Sequence, residues 1–438
     1  MKSIKKEIGE ALKIFGLILI LSVLFFPQFQ DAFIPIESKK LHGAFIPASP
    51  PNFSWKSWRF GAYQDSLRRN IEDSLPLRAE LIRLNNQIDY SLFKIPHGEK
   101  VVIGKNDNLF FTEYIDGYLG NGFQKKAIID DKIQKFKRIQ DILWKRNKIF
   151  LLLVIPPDKG TFSAEDIPDF YLNNPRDTSM RPYMMRQLQA NKIHVIDFLP
   201  VFLNQKKSSP YPLMPKTGVH WSNYGSYLAA DSMFRYITAF SGYRFPEMKL
   251  ARLEESSIPR DEDGDIDNLL NLIWPTSESI LAYPVIRYQS DTGFQKPKAL
   301  FIGDSFYWEL YYQGIINNMF ANQEFWYYDN TVFPESFSEK KNTASVKLMD
   351  AIDRQNIIVI IQVGAGWGNP GFGFIDRLYA AIDTSSGNRI LEIERDILNN
   401  PEWYELIKNK AKFENVPVER KLRSEAIYVY NQQLIKTK

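Results

Sequence analysis

Ile149-Phe150-Leu151-Leu152-Leu153-Val154-Ile155, closed by Pro156-Pro157, carries neither a polar residue nor an alternation. A strand with one wet face alternates apolar and polar side chains, because successive residues point to opposite faces; a strand apolar at every position must be covered on both. That is the situation of a parallel sheet between two layers of helices. Residues 125–147 lead into the run with Ile129, Ile133, Phe136, Ile139 and Leu143 at helical steps. Further strand candidates follow at 194–198, 299–302, 325–328 and 357–363, and helical patterns at 181–190, 224–236, 307–319 and 345–354 separate most of them. The rhythm predicts a doubly wound, mostly parallel α/β/α sandwich of three layers.

The 438 residues, 44% of them apolar, suffice for two or three domains or one large domain with additions. A net charge of +4, without a Lys/Arg block interleaved with aromatics, argues against nucleic acid as the main partner. The absence of cysteine excludes disulfides, thiolate catalysis and Cys-ligated metal centres. His42, His97, His194 and His220 lack metal-ligand spacing, so no metal is expected, and no cofactor. Aromatic residues at 14% supply core packing or flat faces for sugar rings.

Residues 1–33 read as a signal or transmembrane anchor. Lys2, Lys5, Lys6 and Lys13 precede thirteen uncharged, mostly apolar residues, 14–26, short of the roughly 20 that span a bilayer. No small-x-small cleavage site follows; extending to Phe29 and letting Lys13 snorkel gives an uncleaved anchor, with the basic flank cytoplasmic and the body outside. Residues 34–99 form a juxtamembrane and helical lead-in, in which Leu81, Leu84, Ile88 and Leu92 share one helix face expected to pack. The α/β domain is placed at 100–385, beginning with two short strands and a turn, with a polar, irregular, lid-like insertion at 242–294. A charged two-helix cap is placed at 386–438.

Two short motifs carry the chemistry. Gly303-Asp304-Ser305-Phe306 stands where the strand at 299–302 must turn into a helix, the edge of an α/β sheet where ligands bind. Thr217-Gly218-Val219-His220-Trp221 comes earlier, and Ser222 or Asn223 is suited to capping the helix that follows. Together they offer a nucleophile and a general base, in the reverse of the Ser-before-His order of most lipases and esterases. An imidazole base needs a carboxylate to fix its tautomer; Asp265, Asp263, Asp197, Asp158 and Asp304 are all candidates. Gly303, Asp304 and Asn369, the last in the Gly-rich run 362–369, are candidates for oxyanion stabilisation or the site wall, and Trp221 for substrate contact. The cluster Asp261-Glu262-Asp263-Gly264-Asp265 lacks the twelfth-position Glu of a calcium loop and reads as a solvated acidic loop.

The ordered set of motifs resembles the SGNH-hydrolase-like O-acetyltransferases related to the alginate acetylation proteins AlgJ and AlgX. The blocks are Asp73-Ser74-Leu75-Pro76-Leu77-Arg78, Val102-Ile103-Gly104-Lys105 with Leu109-Phe110-Phe111, Ile155-Pro156-Pro157-Asp158-Lys159, His220-Trp221 and Gly303-Asp304-Ser305-Phe306. The resemblance covers residues 55–377 and implies an SGNH-like fold with circularly permuted motif order. It also implies a periplasmic enzyme in which Ser305 is acetylated with His220 as base and the acetyl group passes to a polysaccharide hydroxyl. A membrane-bound O-acyltransferase partner in the inner membrane would supply the acetyl group; an acetyl esterase, or an impaired polysaccharide-binding or assembly subunit, are the alternatives. Where the family writes Asp-x-His-Trp, this chain has Gly218, so another carboxylate must orient His220, for which we take Asp265, or the site is a Ser–His dyad, or activity is reduced.

Overall fold

The computed structural model describes residues 2–33, 38–43, 48–121, 124–173, 177, 180–276, 279–289, 293–333, 341–364, 369–382, 384–414, 416 and 418–436. The chain divides into two compact units, residues 1–101 with 266–276, and residues 102–265 with 277–438.

In the first unit, residues 2–33 form one helix, Lys2–Phe33. Among the described residues no helix is long and apolar enough to cross a membrane. The apolar run 14–26, read as a signal or anchor, lies inside this helix, which also takes in Lys13 and Asp31. The expected helix at 63–93 is two, Ala62–Ser74 and Arg78–Phe93, because Pro76 cannot occupy a helix interior. The face expected to pack is exposed: Leu81, Leu84, Ile88 and Leu92 face outward, while Asn86, Gln87 and Tyr90 are buried. Asn86 and Gln87 hydrogen-bond backbone groups of Leu270 and Trp274, so polar satisfaction, not apolar periodicity, sets the buried face of this helix.

The second unit is built on a seven-stranded sheet. Its strands, with those of two smaller sheets, are β1 (Val101–Ile103), β2 (Leu109–Phe111), β3 (Phe150–Ile155), β4 (Val195–Asp197), β5 (Glu247–Ser256), β6 (Leu281–Gln289), β7 (Lys298–Gly303), β8 (Asn322–Tyr327), β9 (Thr331–Phe333), β10 (Lys341–Asn342) and β11 (Ile357–Ile361). The sheet order is β10-β9-β8-β7-β11-β3-β4, parallel from β8 to β4 and antiparallel at the β9 and β10 edge. All five strand candidates are present, as an SGNH-like three-layer sandwich requires. β3 shows why its sequence has no alternation. Phe150, Leu152 and Val154 join a core on one face, with Met233, Phe234 and Ile237 of helix Asn223–Ser241. Leu151, Leu153 and Ile155 join the core on the other, with Ile133, Phe136 and Ile139 of helix Lys126–Asn147.

Three expectations are revised. The region 242–294 contains the antiparallel pair β5 and β6, whose charged, mostly exposed β5 hides the period-two signal. The helix at 307–319 is split into Tyr307–Tyr312 and Ile315–Met319 by Gly314, at φ +71°. The C-terminal region forms three helices, Thr384–Leu398, Pro401–Phe413 and Val418–Lys436, around their own cluster of Ile390, Ile393, Ile397 and Ile407. The break precedes Pro401, where Asn400 caps the new helix by accepting the Trp403 N–H at 3.0 Å.

Gly303 ends β7 opposite Ile361 of β11. A Cβ here would lie 2.5 Å from the Ile361 carbonyl oxygen and 3.1 Å from its Cβ, a collision with a neighbouring strand that cannot move. Replacing Gly303 with Ala is expected to cost roughly 1–3 kcal/mol, the range for overpacking a tight core. The check is the thermal unfolding midpoint by circular dichroism; an unchanged midpoint contradicts the close approach.

Candidate active site

The turn after β7 is held from three sides. The Asp304 N–H donates to the Ile361 carbonyl at 3.2 Å, and the Tyr328 N–H to the Gly303 carbonyl at 2.9 Å. The Asp304 carboxylate accepts the N–H groups of Val363 at 2.8 Å and Phe306 at 3.2 Å. Asp304 is therefore a clamp between two strand ends and not an oxyanion donor, since a carboxylate that accepts has nothing to donate. Burial pushes its carboxyl up to about 6 against those two N–H groups, which favour the charged form. Ser305 stands at the apex, half-buried, and its own N–H takes no part in the turn's hydrogen bonds among the described residues.

His220 reaches this turn from a loop pinned in two places. Lys159 is fully buried and donates from Nζ to the carbonyls of Pro215 and, at 2.9 Å, Gly218. Trp221 is 1% exposed, donates its indole N–H to the Phe306 carbonyl at 3.2 Å and packs on Phe198 and Phe306. The expected substrate contact is corrected: Trp221 is a core residue that ties the His loop to the residue after Ser305. Ser222 caps helix Asn223–Ser241, accepting the Gly225 N–H at 3.0 Å. Between these pins the His220 ring is edge-on to Phe306, with Nε2 2.7 Å from Ser305 Oγ.

The carboxylate that meets His220 is Asp265. Its Oδ2 lies 3.1 Å from Nδ1, and its Oδ1 accepts the Val219 N–H at 2.9 Å, which fixes the carboxylate against the His loop. At 3.1 Å the carboxylate acts on the imidazole both by its charge and by a side-chain hydrogen bond. Burial alone would lower the His220 pKa; the Asp265 charge and hydrogen bond, with smaller contributions from Glu262 and Asp304, outweigh burial and raise it above 6.5.

Gly218 explains how Asp265 comes so near. A Cβ at this position would meet the Asp263 carbonyl at 2.7 Å, the Glu262 carbonyl at 2.8 Å and Asp265 Oδ1 at 2.9 Å. The segment Asp261–Gly264 and the helix start at Asp265 lie directly on the bare backbone. The other carboxylate candidates are engaged elsewhere. Asp158 caps the helix Lys159–Phe162, Asp197 pairs with Arg181, and Asp263 accepts the Asn223 N–H at 3.2 Å. Asp263 is also fully buried and pushed up to about 7 by that burial, so the acidic segment is not the solvated loop expected.

Two tyrosines complete the surroundings. Tyr327 and Tyr328 interact with each other through their hydroxyls and with the Ser305 hydroxyl, their rings 4.4 Å apart. Tyr328 and Asp329 hold left-handed backbone conformations, φ 50° and 49°, unfavourable for a side chain as large as that of Tyr328. The only sequence signal was a pair of tyrosines at the end of a strand candidate. Tyr328 packs edge-on against Phe372 at 4.9 Å. Phe372 and Asn369 line a cavity of about 490 Å³ together with Asp329, Arg377, Arg423 and Tyr428. Asn369 is thus placed on this cavity, its carbonyl accepting from Gln362 at 3.4 Å. Residues 365–368 of the Gly-rich run lie outside the described residues.

Among the described residues, the one group of ligand-type side chains close enough to share a cation is His220, Glu262 and Asp265, with atoms within 4.8 Å of one another. Chemically, the arrangement can deprotonate a serine hydroxyl and stabilise the resulting imidazolium.

A family model described as an SGNH hydrolase-like domain, acetyltransferase AlgX, matches residues 101–307, a span containing His220, Asp265 and Ser305. No curated protein matches. Among solved structures, the O-acetyltransferase domain of Pseudomonas putida AlgJ is 16% identical, covers 64% of this chain and 99% of its own, and has a TM-score of 0.42. Pseudomonas aeruginosa AlgX is 14% identical with a TM-score of 0.41, covering 63% of this chain and 67% of its own. Bacillus cereus PatB1 with a sulfonyl adduct is 13% identical with a TM-score of 0.39, covering 57% and 94%.

Replacing Asp265 with Asn keeps the shape and removes the charge. Labelling of Ser305 by a serine-directed sulfonyl fluoride is expected to slow by about 10⁴-fold, the loss typical of this substitution in a triad. Its acid limb, which rises as His220 loses its proton, lies above pH 6.5 in the native protein and should move to lower pH in the variant, because the charge that holds the proton is gone. An unchanged rate and limb would separate Asp265 from His220.

Proposed function

We propose, from the premise that residues 101–307 belong to the family of SGNH hydrolase-like domains typified by the acetyltransferase AlgX, that this chain transfers acetyl groups to a polysaccharide through Ser305. The family is one of acyl transfer and ester chemistry. The observation that carries the reading is the 2.7 Å contact between His220 Nε2 and Ser305 Oγ, backed by Asp265 on the far side of the imidazole.

In this reading His220 takes the Ser305 proton as Oγ attacks the acetyl carbonyl, and returns it to the departing group as the tetrahedral intermediate collapses. The acetyl group is then an ester on Ser305. A sugar hydroxyl enters, gives its proton to His220 and attacks that ester; the proton returns to Ser305 Oγ, and the acetylated sugar leaves. The Ser305 N–H and the Tyr328 hydroxyl are the donors best placed to steady the oxyanion.

Transfer competes with hydrolysis, since water can replace the sugar at the second step. What favours an acceptor is a cavity of about 490 Å³ with aromatic and paired charged side chains, whose Phe372 packs against Tyr328. A non-catalytic binding subunit, suggested by Gly218, is less well supported once Asp265 stands in for the missing carboxylate. We take the body to act outside the cytoplasmic membrane, with residues 1–33 as its export signal, and the acetyl donor to be a membrane-bound O-acyltransferase.

The purified protein is expected to hydrolyse a small acetyl ester and, with an oligosaccharide acceptor added, to yield acetylated oligosaccharide by mass spectrometry; Ser305→Ala should lose both activities. Acetylation by the Ser305→Ala protein would sink the proposal, and hydrolysis unaffected by any acceptor would favour the esterase.

A further inference from the structure

The three side chains of the site come from three separate segments, and one buried side chain that no catalytic step uses touches the segments of all three. Glu309 lies one turn into the chain after Ser305, in helix Tyr307–Tyr312, and is 0% exposed. Its Oε1 accepts the N–H of Glu262, three residues before Asp265, at 3.0 Å. Its Oε2 accepts from Asn223 Nδ2, three residues after His220, at 2.8 Å. Asn223 in turn gives its backbone N–H to Asp263 at 3.2 Å and reaches Asp261 at 3.4 Å.

We propose that Glu309 is the positioning residue of this site, its two carboxyl oxygens fastening the acid segment and the His220 helix to the helix that follows the nucleophile. The inference rests on the reading of Ser305, His220 and Asp265 as the reacting set. Packing does not require a carboxyl here. Burying one among Asp261, Glu262 and Asp263 is unfavourable, and an apolar side chain of similar volume would fill the same space. What the carboxyl adds is two acceptors at fixed separation, each directed to a donor on a different catalytic segment. A bidentate group holds two segments in register in a way a methyl group cannot, and a misplacement of about 1 Å at such a site costs roughly 100-fold in rate.

The test exchanges an acceptor for a donor while keeping volume. Glu309→Gln presents an NH₂ to one of two N–H donors, so one bond is lost. Labelling of Ser305 by a sulfonyl fluoride should fall roughly 100-fold in its maximal rate constant. The concentration for half-maximal rate should stay near the native value, and the acid limb should move down as Asp265 withdraws from His220. Loss of stability alone would not move the limb. Glu309→Asp, which retracts the carboxyl by one methylene, should reproduce the loss and serves if Glu309→Gln does not fold. A folded Glu309 variant with native rate and limb overturns the proposal. Native protein that is never labelled counts against the Ser305 reading itself; labelled native protein with unaffected variants counts against Glu309 alone.

Discussion

The site depends on a side chain that is absent. At Gly218 the backbone is bare, and the carbonyls of Glu262 and Asp263 and the carboxylate of Asp265 occupy the space a Cβ would need. Through that gap Asp265 reaches both the Val219 N–H and His220 Nδ1, so one carboxylate fixes the loop and charges the imidazole together. The glycine two residues before His220 and the approach of Asp265 from another segment are thus the same fact. A chain that carried its own Asp two residues before the His would have no room for this segment.

Burial of polar groups holds the rest in place. Lys159 sits fully inside with its ammonium on two carbonyls of the His loop, Asp304 clamps the strand ends, and Glu309 spans the acid and His segments. Each such group is costly to bury alone and economical only when its partners are in position, so the network favours one arrangement of the loops over many near alternatives. Ser305 is presented by the two strands that flank β7, and His220 by the helix cap and the indole of Trp221.

Strand and helix periodicity made the fold legible, because a strand covered on both faces leaves a run with no polar residue, as 149–155 does. Ser305 was legible for a related reason, standing where a buried strand has to turn, and His220 from the cap residue after it. The acid was not separable from its rivals, since five aspartates were compatible with the spacing and only the fold shows four of them engaged elsewhere. Trp221 was misread because an aromatic beside a candidate catalytic His looks the same whether it faces ligand or core. The exposed leucines of helix Arg78–Phe93 were misread because periodicity reports a face and not its direction, and there Asn86 and Gln87 choose the direction through hydrogen bonds. Glu309 gave no signal at all, since nothing in one sequence distinguishes a buried glutamate from a solvated one.

The position of β11 in the sheet has a temporal side. It lies between β7 and β3, yet it is the last of the strands to be synthesised, and the turn at Ser305 hangs on Ile361 and Val363 at its end. Every group of the reacting set is already present by residue 305, but the turn that presents the nucleophile has no second wall until nearly sixty more residues have followed. If Ser305 and His220 react as proposed, a nascent chain holds both before the wall of the turn exists, and insertion of a central parallel strand between two neighbours is a slow, non-local event. On that reading reactivity waits for the sheet to close.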